Sequence, residues 1–456
     1  MFDFIKNLID LEEEPNIVII GFRIEEHSKI IIVEYKNIPI YCSNCGSKMR
    51  VKEIYIRHVK HNLLQDGYFL IIEYHQRSWV CPNCKTRFTP SVSFISKNKQ
   101  ISNSTSLLAI KKLANLSLSV SSVANDFGIS DTSLHNLFLQ HVDMKRLPLP
   151  EVIMIDEVYT NFKDNCKYSL VIMDFFTHDV IDFLPSRRES HTHRYFLSIP
   201  LKERNNVKFI ISDMYEPYLN YMNRYFHNSQ TAIDSFHVVS WLIDRISFYL
   251  RQLRRKYDND KTSDEYYLLK NKQWVILMNE EKINDDIPKK IDKHFHCYMS
   301  VYSYRELFFK IDPSIKTIYE LKELYILFNN KERENNDSIE DELDELISIY
   351  SQSEIDIFIR FAELLIDRKK EIINSFIIMP SLGKTVRLSN GAMESFNRKP
   401  KDLKRLARGV DNFEFYRQRI LFSERSEKII RAIPKKREEI QNKTNKKRGP
   451  YKKSKK

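Results

Sequence analysis

The sequence predicts a multidomain α+β protein, and three observations support that fold class. The chain has 456 residues, more than one hydrophobic core usually organises, and 42% of them are hydrophobic, enough for several cores. Two Cys-x-x-Cys pairs lie in strand-like text near the N-terminus. Further along, the hydrophobic period becomes helical, then gives way to short apolar runs, and then becomes helical again. We therefore expect a β region, a helical domain, and an α/β domain that carries a helical insertion.

The first predicted domain is a β region over residues 1–95. Residues 17–35 contain two runs rich in Ile and Val around a polar turn, and "YFLIIEYHQRSWV" adds more strand-like text. Two tight Cys-x-x-Cys turns direct four thiolates at one tetrahedral ion, so the sequence predicts a zinc ribbon with structural Zn²⁺. The expected zinc ligands are Cys42, Cys45, Cys81 and Cys84.

Other interpretations of these cysteines remain open at this stage. A redox pair is one alternative, although redox motifs come singly and this one is doubled. His58, His61 and His75 lie between the two pairs and are competing ligands. The remaining cysteines, Cys166 and Cys297, stand alone and are expected to be small buried hydrophobic residues.

The second predicted domain, residues 100–146, is a helix-turn-helix. Val123, Ala124 and Phe127 fall on one helix face, Gly128 permits a turn, and Ser130 can cap a second helix. The outward face of that second helix carries side chains able to read base edges. These candidate DNA-binding residues are Thr132, Ser133, His135, Asn136 and Gln140. The alternative is an ordinary helical hairpin.

The pattern of the next segment predicts an α/β domain. Short apolar runs such as "VIMIDEVY", "VKFIISDMY" and "TAIDSFHVV" suit a buried sheet, and residues 190–201 suit a helix. Asp156 and Asp213 each close such a run, 57 positions apart. Residues at the ends of strands in an α/β sheet face the crevice where ligands bind, so both aspartates can share one site. The alternative is that each is a turn or cap residue.

Phosphodiester chemistry with two Mg²⁺ ions requires more than two carboxylates. The third acid could be Glu157, a member of the acidic run near Glu340, or Glu394. Glu394 is favoured, because Ser389 or Asn390 can cap a helix that carries it and Asn397 follows about one turn later. Basic residues beyond it could hold the DNA: Arg398, Lys401, Lys404, Arg405 and Arg408.

Taken together these motifs resemble the bacterial insertion-sequence transposases of the ISL-three type. The resemblance rests on the cysteine pairs, the helix-turn-helix, "IDEVY", "SDMYEPY", "DSFHVV" and "NGAMESFNRKPKDLKRLARGVDNFEFYRQRILF", in that order. It implies a ribonuclease-H-like α/β catalytic domain interrupted by an all-helical insertion. The implied boundaries are 150–256 for the first catalytic part, 257–378 for the insertion and 379–433 for the return helix with the third acid.

The resemblance also implies roles for individual residues. The DDE triad of catalytic, metal-binding acids would be Asp156, Asp213 and Glu394, with two Mg²⁺ (or Mn²⁺) ions per active site. Asp234 and His237 match the family's Asp-x-Phe-His element and would support that site, with a purely structural role as the alternative. Asn390 and Asn397 are further supporting candidates.

Charge and hydropathy limit the partners. The net charge is +12, and residues 434–456 contribute eleven Lys or Arg against two Glu, which predicts a disordered basic tail suited to nucleic acid. No apolar run approaches the roughly 18–20 residues of a membrane span, and the acidic start does not suit a signal peptide. We therefore expect a cytoplasmic, nucleoid-associated bacterial protein with no membrane partner.

The predicted function is that of a DNA transposase, which binds the inverted-repeat ends of an insertion sequence and catalyses DNA cleavage and strand transfer. Its partners are double-stranded transposon ends and target DNA, and pairing two ends implies a homodimer or higher oligomer on DNA. Two alternatives remain: a metal-dependent nuclease without strand transfer, and a DNA-binding regulator that has lost the chemistry.

Overall fold

The chain folds into two compact units with mixed α and β structure. The computed structural model describes residues 5–7, 9–63, 67–162, 166–216, 218, 224–283, 290–333, 337–406 and 412–440. The first unit comprises Met1–Lys145, Phe162–Asn165 and Arg398–Lys456. The second comprises Arg146–Asn161 and Cys166–Asn397.

A five-stranded sheet opens the first unit. Its strands are β1 (Ile17–Glu25), β2 (Ser28–Tyr35), β3 (Arg50–Leu63), β4 (Phe69–Val80) and the short β5 (Arg87–Phe88). The order is β1-β2-β4-β3, with β5 paired to β4. The two strands predicted within residues 17–35 are confirmed, since alternate residues such as Val33 point into the core beside Ile72 and Trp79.

Three helices follow: α1 (Asn103–Lys112), α2 (Val120–Asp126) and α3 (Asp131–His141). The helix pair predicted from the apolar period is confirmed as α2 and α3, and the Ser130 hydroxyl accepts a hydrogen bond from the Ser133 amide at 3.2 Å. Gly128 lies in the turn between them with φ +60°. A side chain there would be strained, and its Cβ would meet the Phe69 ring at 3.0 Å.

The second unit contains another five-stranded sheet. It is built from β6 (Val152–Phe162), β7 (Cys166–Asp174), β8 (Val180–Leu184), β9 (Phe209–Ser212) and β10 (Gln230–Ile233), with helices α4 (Glu189–Ser198) and α5 (Leu201–Arg204). The order is β10-β9-β6-β7-β8. β6, β9 and β10 are parallel, whereas β7 and β8 form an antiparallel pair. The helix predicted over residues 190–201 ends at Ser198, before Pro200, whose missing N–H cannot continue it.

A helical block follows this sheet. Its helices are α6 (Ser235–Arg255), α7 (Asp264–Asn271), α8 (Trp274–Leu277), α9 (Val301–Ile311), α10 (Pro313–Asn330), α11 (Ile339–Ser351), α12 (Asp356–Asp367) and α13 (Lys369–Asn374). They share one apolar core, in which Leu242, Ile318 and Phe361 are buried. This core accounts for the helical period that the sequence shows there.

The prediction that the insertion at residues 257–378 is all-helical is wrong at one place. Strands β11 (Lys290–Asp292) and β12 (Cys297–Met299) form a hairpin. The Asp292 carboxylate accepts hydrogen bonds from the amides of His294 and Phe295 at 2.8 and 3.2 Å, which favours a turn over a helix. Cys297, expected to be buried, is exposed on this hairpin.

A second hairpin connects the block to the last long helices. Its strands are β13 (Ile378–Ser381) and β14 (Lys384–Arg387), and the turn between them contains Leu382 and Gly383, both with positive φ. Helix α14 (Gly391–Leu406) follows, and then α15 (Phe413–Glu424). No helix in the described parts of the chain is both long and apolar enough to cross a bilayer.

Helix α15 is anchored within the first unit by a buried arginine. Arg419 is 1% exposed, and its guanidinium donates to the carbonyl oxygens of Leu113, Asn115 and Leu118, where α1 ends. Burial lowers the pKa of Arg419 to about 10. Carbonyl oxygens at and after the end of α1 supply the negative partial charge that this cation needs.

The prediction that a disordered tail begins at Pro434 is wrong for residues 434–440. The Lys435 amide donates to the Gln140 carbonyl at 2.8 Å, and its ammonium lies 2.8 Å from both the Val142 carbonyl and the Asp143 carboxylate. Helix α16 (Arg437–Ile440) follows. A cation is stabilised at the carboxyl end of α3, which explains the ordered contact. Residues 441–456 lie outside the described residues.

Candidate active site and cysteine cluster

Four cysteines converge in the first unit, as the sequence predicts for a zinc ribbon. The Sγ atoms of Cys42 and Cys84 lie 3.4 Å apart, and that of Cys45 lies 3.4 Å from Cys81 and 3.5 Å from Cys84. All four sulfurs fall within 4.8 Å of one another. A tetrahedral zinc with Zn–S bonds of about 2.3 Å requires sulfurs about 3.8 Å apart, so the cluster fits zinc.

The two cysteine turns share one backbone geometry. The amide of Gly46 donates to the Cys42 carbonyl at 2.8 Å, and the amide of Lys85 donates to the Cys81 carbonyl at 3.1 Å. Gly46 and Lys85 have φ values of 67° and 61°. The Thr86 hydroxyl, 3.1 Å from the Cys84 sulfur, helps to lower the pKa of Cys84 to about 5, which favours the thiolate that binds zinc.

The histidines between the pairs have other contacts. The Nδ1 atom of His61 lies 2.8 Å from the Ser102 hydroxyl, and Nε2 of His75 lies 2.9 Å from the Glu73 carboxylate. His58 is exposed on β3. Among the described residues, the metal-ligating group near the two turns therefore consists of cysteines alone.

Strand register brings three aspartates into one row of the second unit. In the β6–β9 ladder each residue pairs with the one 57 positions later, as Met154 does with Ile211. In the β9–β10 ladder the offset is 21, as for Ser212 and Ile233. Continuing both offsets by one or two residues aligns Asp156, Asp213 and Asp234. Asp213 and Asp234 directly follow their strands, whereas Asp156, predicted to close its strand, lies inside β6 two residues past the last pair with β9. The three acids therefore lie together where the parallel pairing of the strands ends.

Helix α14 brings a glutamate and two asparagines to the same region. The Asn390 amide donates to the Asp234 carboxylate at 3.0 Å, and its side-chain nitrogen donates to the Ile155 carbonyl at 3.3 Å. The Asn397 side-chain nitrogen donates to Oδ2 of Asp156 at 2.7 Å. Asn390 precedes the helix as expected, but its side chain donates to β6 instead of capping the helix. These contacts fix the start of α14 against β6 and β10.

Among the described residues of this region, Asp234, His237 and Glu394 form one group of potential metal ligands. One ligand atom from each falls within 4.8 Å of the other two. Asp234 begins helix α6 and accepts a hydrogen bond from the Phe236 amide at 3.2 Å, and His237 lies in the first turn. Sequence reasoning gave Asp234 and His237 only a supporting role. A signal in the sequence could have indicated a ligand role for them, because an Asp and a His three positions apart follow immediately after an apolar run.

Several polar atoms in this region are buried without a hydrogen-bond partner among the described residues. They are Nε2 of His237, Oδ1 of Asn390, Oε1 of Glu394 and Oδ1 of Asn397. A buried polar atom without a partner is costly, and native proteins leave few of them. Three of these atoms are oxygens and the fourth is an imidazole nitrogen, the donor types that divalent cations take in proteins.

The electrostatics also favour a cation. Burial raises the pKa of Asp156, and the nearby Asp213 carboxylate raises it further, against hydrogen bonds from the Glu157 amide and Asn397. Burial likewise raises the pKa of Glu394, and the carboxylates of Asp234 and Asp156 add to the effect. The ionised carboxylates are thus destabilised by burial and by one another, and a bound cation would remove both costs.

Asp213 has a looser environment than Asp156. It is partly exposed, and its carboxylate accepts a hydrogen bond from the Tyr215 amide at 3.1 Å. It follows β9 directly. Its charge acts on Asp156, so the two predicted aspartates belong to one electrostatic group.

The other two candidates for the third acid have partners of their own. The Glu157 carboxylate accepts from the guanidinium of Arg187 and, at 3.1 Å, from the Tyr218 hydroxyl. Glu340 lies on α11, largely exposed, 2.8 Å from the Lys369 ammonium. Of the three candidates, Glu394 is the one that joins a metal-ligating group in the described residues.

The predicted DNA-binding residues of α3 do not all share one surface. Ser133, Asn136 and Gln140 line a common cleft. Thr132 is exposed, whereas the His135 ring stacks on Phe415 with centroids 4.2 Å apart. Burial against α15 lowers the pKa of His135. His135 therefore packs between helices instead of lining the cleft.

The basic residues of α14 have different environments. Arg398, Lys401 and Arg405 are exposed, and Arg405 lies 3.1 Å from the Asp402 carboxylate. The Lys404 ammonium lies over the Phe162 ring, 3.4 Å from its centroid. Arg408 lies outside the described residues.

Comparison with known families gives one match. A family model of the ISL-three type of DDE transposases, described as "Transposase", matches residues 153–420, more than half of the chain. The matched segment contains the whole acidic group described above. No curated protein matches the sequence. The chain belongs to the ISL-three family of transposases.

Proposed function

We propose that this transposase is a DDE enzyme with a ribonuclease-H-like catalytic core, which cuts DNA at the ends of an insertion sequence and joins them to target DNA. The strand order β10-β9-β6-β7-β8 supports the fold, since an antiparallel hairpin lies on one side of β6 and two parallel strands on the other. The observation that carries the proposal is the grouping of Asp234, His237 and Glu394, with unpaired buried polar atoms around them and with Asp156 and Asp213 near enough to act on the same charges.

Asp156, Asp213 and Glu394 would hold two divalent cations, Mg²⁺ or Mn²⁺. When bound, such ions activate the attacking oxygen, stabilise the leaving oxygen and orient the phosphate between them. Asn397 holds the Asp156 carboxylate through Oδ2, and the Glu157 amide holds it through Oδ1 at 2.7 Å. Two hydrogen bonds thus fix the carboxylate plane before a cation arrives, which reduces the reorganisation that binding requires.

Asp234 and His237 extend this site beyond a simple triad. The Asp234 carboxylate is engaged by the amides of Phe236 and Asn390, which leaves it positioned but not neutralised. Nε2 of His237 has no hydrogen-bond partner among the described residues, and one ring nitrogen of His237 lies within 4.8 Å of a Glu394 carboxylate oxygen. We assign His237 to binding the scissile phosphate or a cation next to Glu394.

The exposed cations of α14 would hold DNA next to this site. Positions 394, 398, 401 and 405 are separated by four, three and four residues, so these side chains share one face of the helix. Arg398, Lys401 and Arg405 therefore continue the face that carries Glu394. Salt-dependent phosphate contacts from this face would orient the substrate without reading its sequence.

The first unit would recognise the transposon ends. Its cysteine cluster would bind structural Zn²⁺, and α3 would enter the major groove as the second helix of a helix-turn-helix. Joining two ends in one reaction requires two copies of the site, so the active form would be a homodimer or larger assembly on DNA.

A joining assay tests the chemistry. Purified protein, Mg²⁺, a duplex with a pre-cut transposon end and a supercoiled plasmid should give plasmid-linked product. Glu394→Gln keeps the size of the side chain and removes its charge, so joining should fall about 10³-fold with end binding retained. Glu363→Gln, the same change at an exposed position of α12, is the matched control and should join normally.

The same assay separates the alternative functions. A nuclease would cut an intact end but leave pre-cut ends unjoined. A regulator would bind the ends and do neither. Glu394→Gln protein that joins DNA as fast as the unaltered protein would refute the assignment of the third acid.

A further inference from the structure

The cleft beside α3 has a second wall that comes from the β region. One wall carries Ser133, Asn136 and Gln140 of α3, and the other carries Lys60 of β3 with Asn98 and Lys99 from the segment after β5. The volume of the cleft is about 450 Å³. A second cleft of about 340 Å³ shares Lys60, Asn98 and Lys99 and continues along β3.

Hydrogen bonds hold the two walls in a fixed relation. The Lys60 amide donates to the Gln100 carbonyl at 2.9 Å, and the Ser102 amide donates to the Lys60 carbonyl at 2.9 Å. The Lys60 ammonium donates to the carbonyl of Gly128, in the turn before α3. The wall from the β region is therefore bonded directly to the turn that positions the helix.

Arg57 stiffens the same wall. Its guanidinium donates to the carbonyls of Lys99 and Ser96, at 2.6 and 3.3 Å. The Lys99 backbone is held in this way, while its side chain is exposed and forms no hydrogen bond or ion pair with a described residue. Lys99 thus offers an uncommitted positive charge on a fixed backbone.

The chemistry of the lining fits duplex DNA. Among the described residues, no Asp or Glu lines either cleft, and Arg57, Lys60 and Lys99 supply positive charge. The α3 wall offers hydroxyl and amide groups, the side chains that bond to base edges. No Phe, Tyr or Trp among those lining residues could stack single-stranded bases, which argues against single strands.

We propose that this cleft is a composite binding site for double-stranded DNA, in which α3 reads base edges and the β region binds the phosphate backbone beside them. This inference rests on the proposed function, since it assumes that α3 enters DNA at the transposon ends. A helix about 10–12 Å wide nearly fills the major groove, so an element fixed beside it meets the phosphates at the rim. Lys99, with Asn98 and Lys60, occupies that position.

Fluorescence anisotropy tests the proposal on two duplexes of equal length, one carrying the terminal inverted repeat and one a scrambled sequence. Lys99→Ala should weaken binding to both duplexes by the same factor, and the slope of log K against log salt should fall in magnitude by about one. Asn136→Ala should instead reduce the preference for the repeat by about 5- to 150-fold and leave the slope unchanged.

Two further variants serve as controls. Lys36→Ala removes an exposed lysine of the same unit that lines neither cleft, so affinity and slope should match those of the unaltered protein. Lys99→Gln removes the charge and keeps most of the side chain, and should reproduce the Lys99→Ala result. Zinc content equal to that of the unaltered protein verifies the fold of each variant.

The outcomes separate this proposal from the proposed function. If Lys99→Ala and Lys99→Gln bind both duplexes with unaltered affinity and slope, the second wall does not contact DNA and the inference is overturned. Joining of pre-cut ends would still support the transposase chemistry. If the unaltered protein binds neither duplex, the proposed end recognition itself fails, and this inference fails with it.

Discussion

The cysteine cluster and the acidic group of this protein are built in opposite ways. The cysteine cluster takes its ligands from two short turns, each of which places two sulfurs through local backbone hydrogen bonds such as that from Gly46 to Cys42. The residues of the acidic group come from β6, the position after β9, the start of α6 and the start of α14, which meet only through strand register and long-range contacts. One group is specified locally and the other by the whole sheet.

This difference in construction indicates a different role for each group. The sulfurs of the cysteine cluster lie on two turns of a small β region, where a bound zinc would contribute directly to folding. The carboxylate of Asp156 is buried and that of Glu394 is half-buried, and burial together with neighbouring carboxylates raises the pKa of both. Such an arrangement costs stability and is typical of functional sites. Loss of a ligand should therefore unfold one group and inactivate the other.

The largest expected effect is on chemistry. Asp213→Asn should reduce joining about 10³-fold, because a neutral amide cannot balance the charge of the cations. Thermal unfolding should change little, since Asp213 is partly exposed and its one hydrogen bond to a described residue, from the Tyr215 amide, survives in the amide. Asp244→Asn, at an exposed position of α6, is the control. A large loss of thermal stability in Asp213→Asn would mean that Asp213 contributes to folding and not only to the chemistry.

The second effect is on zinc and end recognition. Cys84→Ser should lose the bound zinc and weaken binding to the terminal repeat more than about 100-fold, because zinc binding of about 10 kcal/mol or more is part of the folding free energy of such a ribbon. Metal content by mass spectrometry and anisotropy measure the two losses. Cys297→Ser is matched chemically, and Cys297 is exposed far in sequence from the cluster, so both quantities should stay unchanged.

The extent to which sequence predicts each group follows from the same contrast. The cysteine cluster, the α2–α3 pair and the place of Asp213 directly after a strand follow from patterns a few residues long, and all are present, whereas Asp156 lies inside β6 and does not close it. The grouping of Asp234 and His237 with Glu394 depends on how β10 pairs with β9 and on the Asn390 contact with Asp234, which no local pattern encodes. The ordered Lys435 was missed for the same reason, because its partners on and after α3 are remote in sequence.

A third, intermediate effect concerns Arg187, a positioning residue beside the acidic group. Its guanidinium binds Glu157, the neighbour of Asp156, and stacks on the ring of Tyr215 at 4.6 Å, two residues after Asp213. Arg187 thereby ties together the segments that follow the two aspartates. Residues that orient metal ligands are commonly worth about 10- to 100-fold in metal affinity or activity.

Arg187→Ala should therefore raise the Mn²⁺ concentration needed for half-maximal joining about 10-fold, with Arg187→Lys in between. Saturating Mn²⁺ should restore most of the rate, which a merely unstable variant would not allow. Arg194→Ala, at an exposed position of α4, should leave the Mn²⁺ dependence unchanged. If Arg187→Ala and the unaltered protein require the same Mn²⁺ concentration, the contacts of Arg187 with Glu157 and Tyr215 do not position Asp156 and Asp213.

The smallest expected effect has the opposite sign, and it concerns stability without cations. Asp156→Asn removes a buried charge whose ionised form is disfavoured by burial and by the Asp213 carboxylate. The Glu157 amide can still donate to the new amide oxygen, and rotation of the Asn397 side chain would present its unpaired Oδ1 to the new amide nitrogen. In chelator, the variant should be more stable by about 1 kcal/mol, which raises the unfolding temperature by about 2–4 °C.

Added Mg²⁺ should stabilise the unaltered protein more than the variant, because only the unaltered site gains a compensating ion. Differential scanning fluorimetry in chelator and in Mg²⁺ measures both shifts, and a variant that is less stable than the unaltered protein in chelator would show that Asp156 does not bear an uncompensated charge.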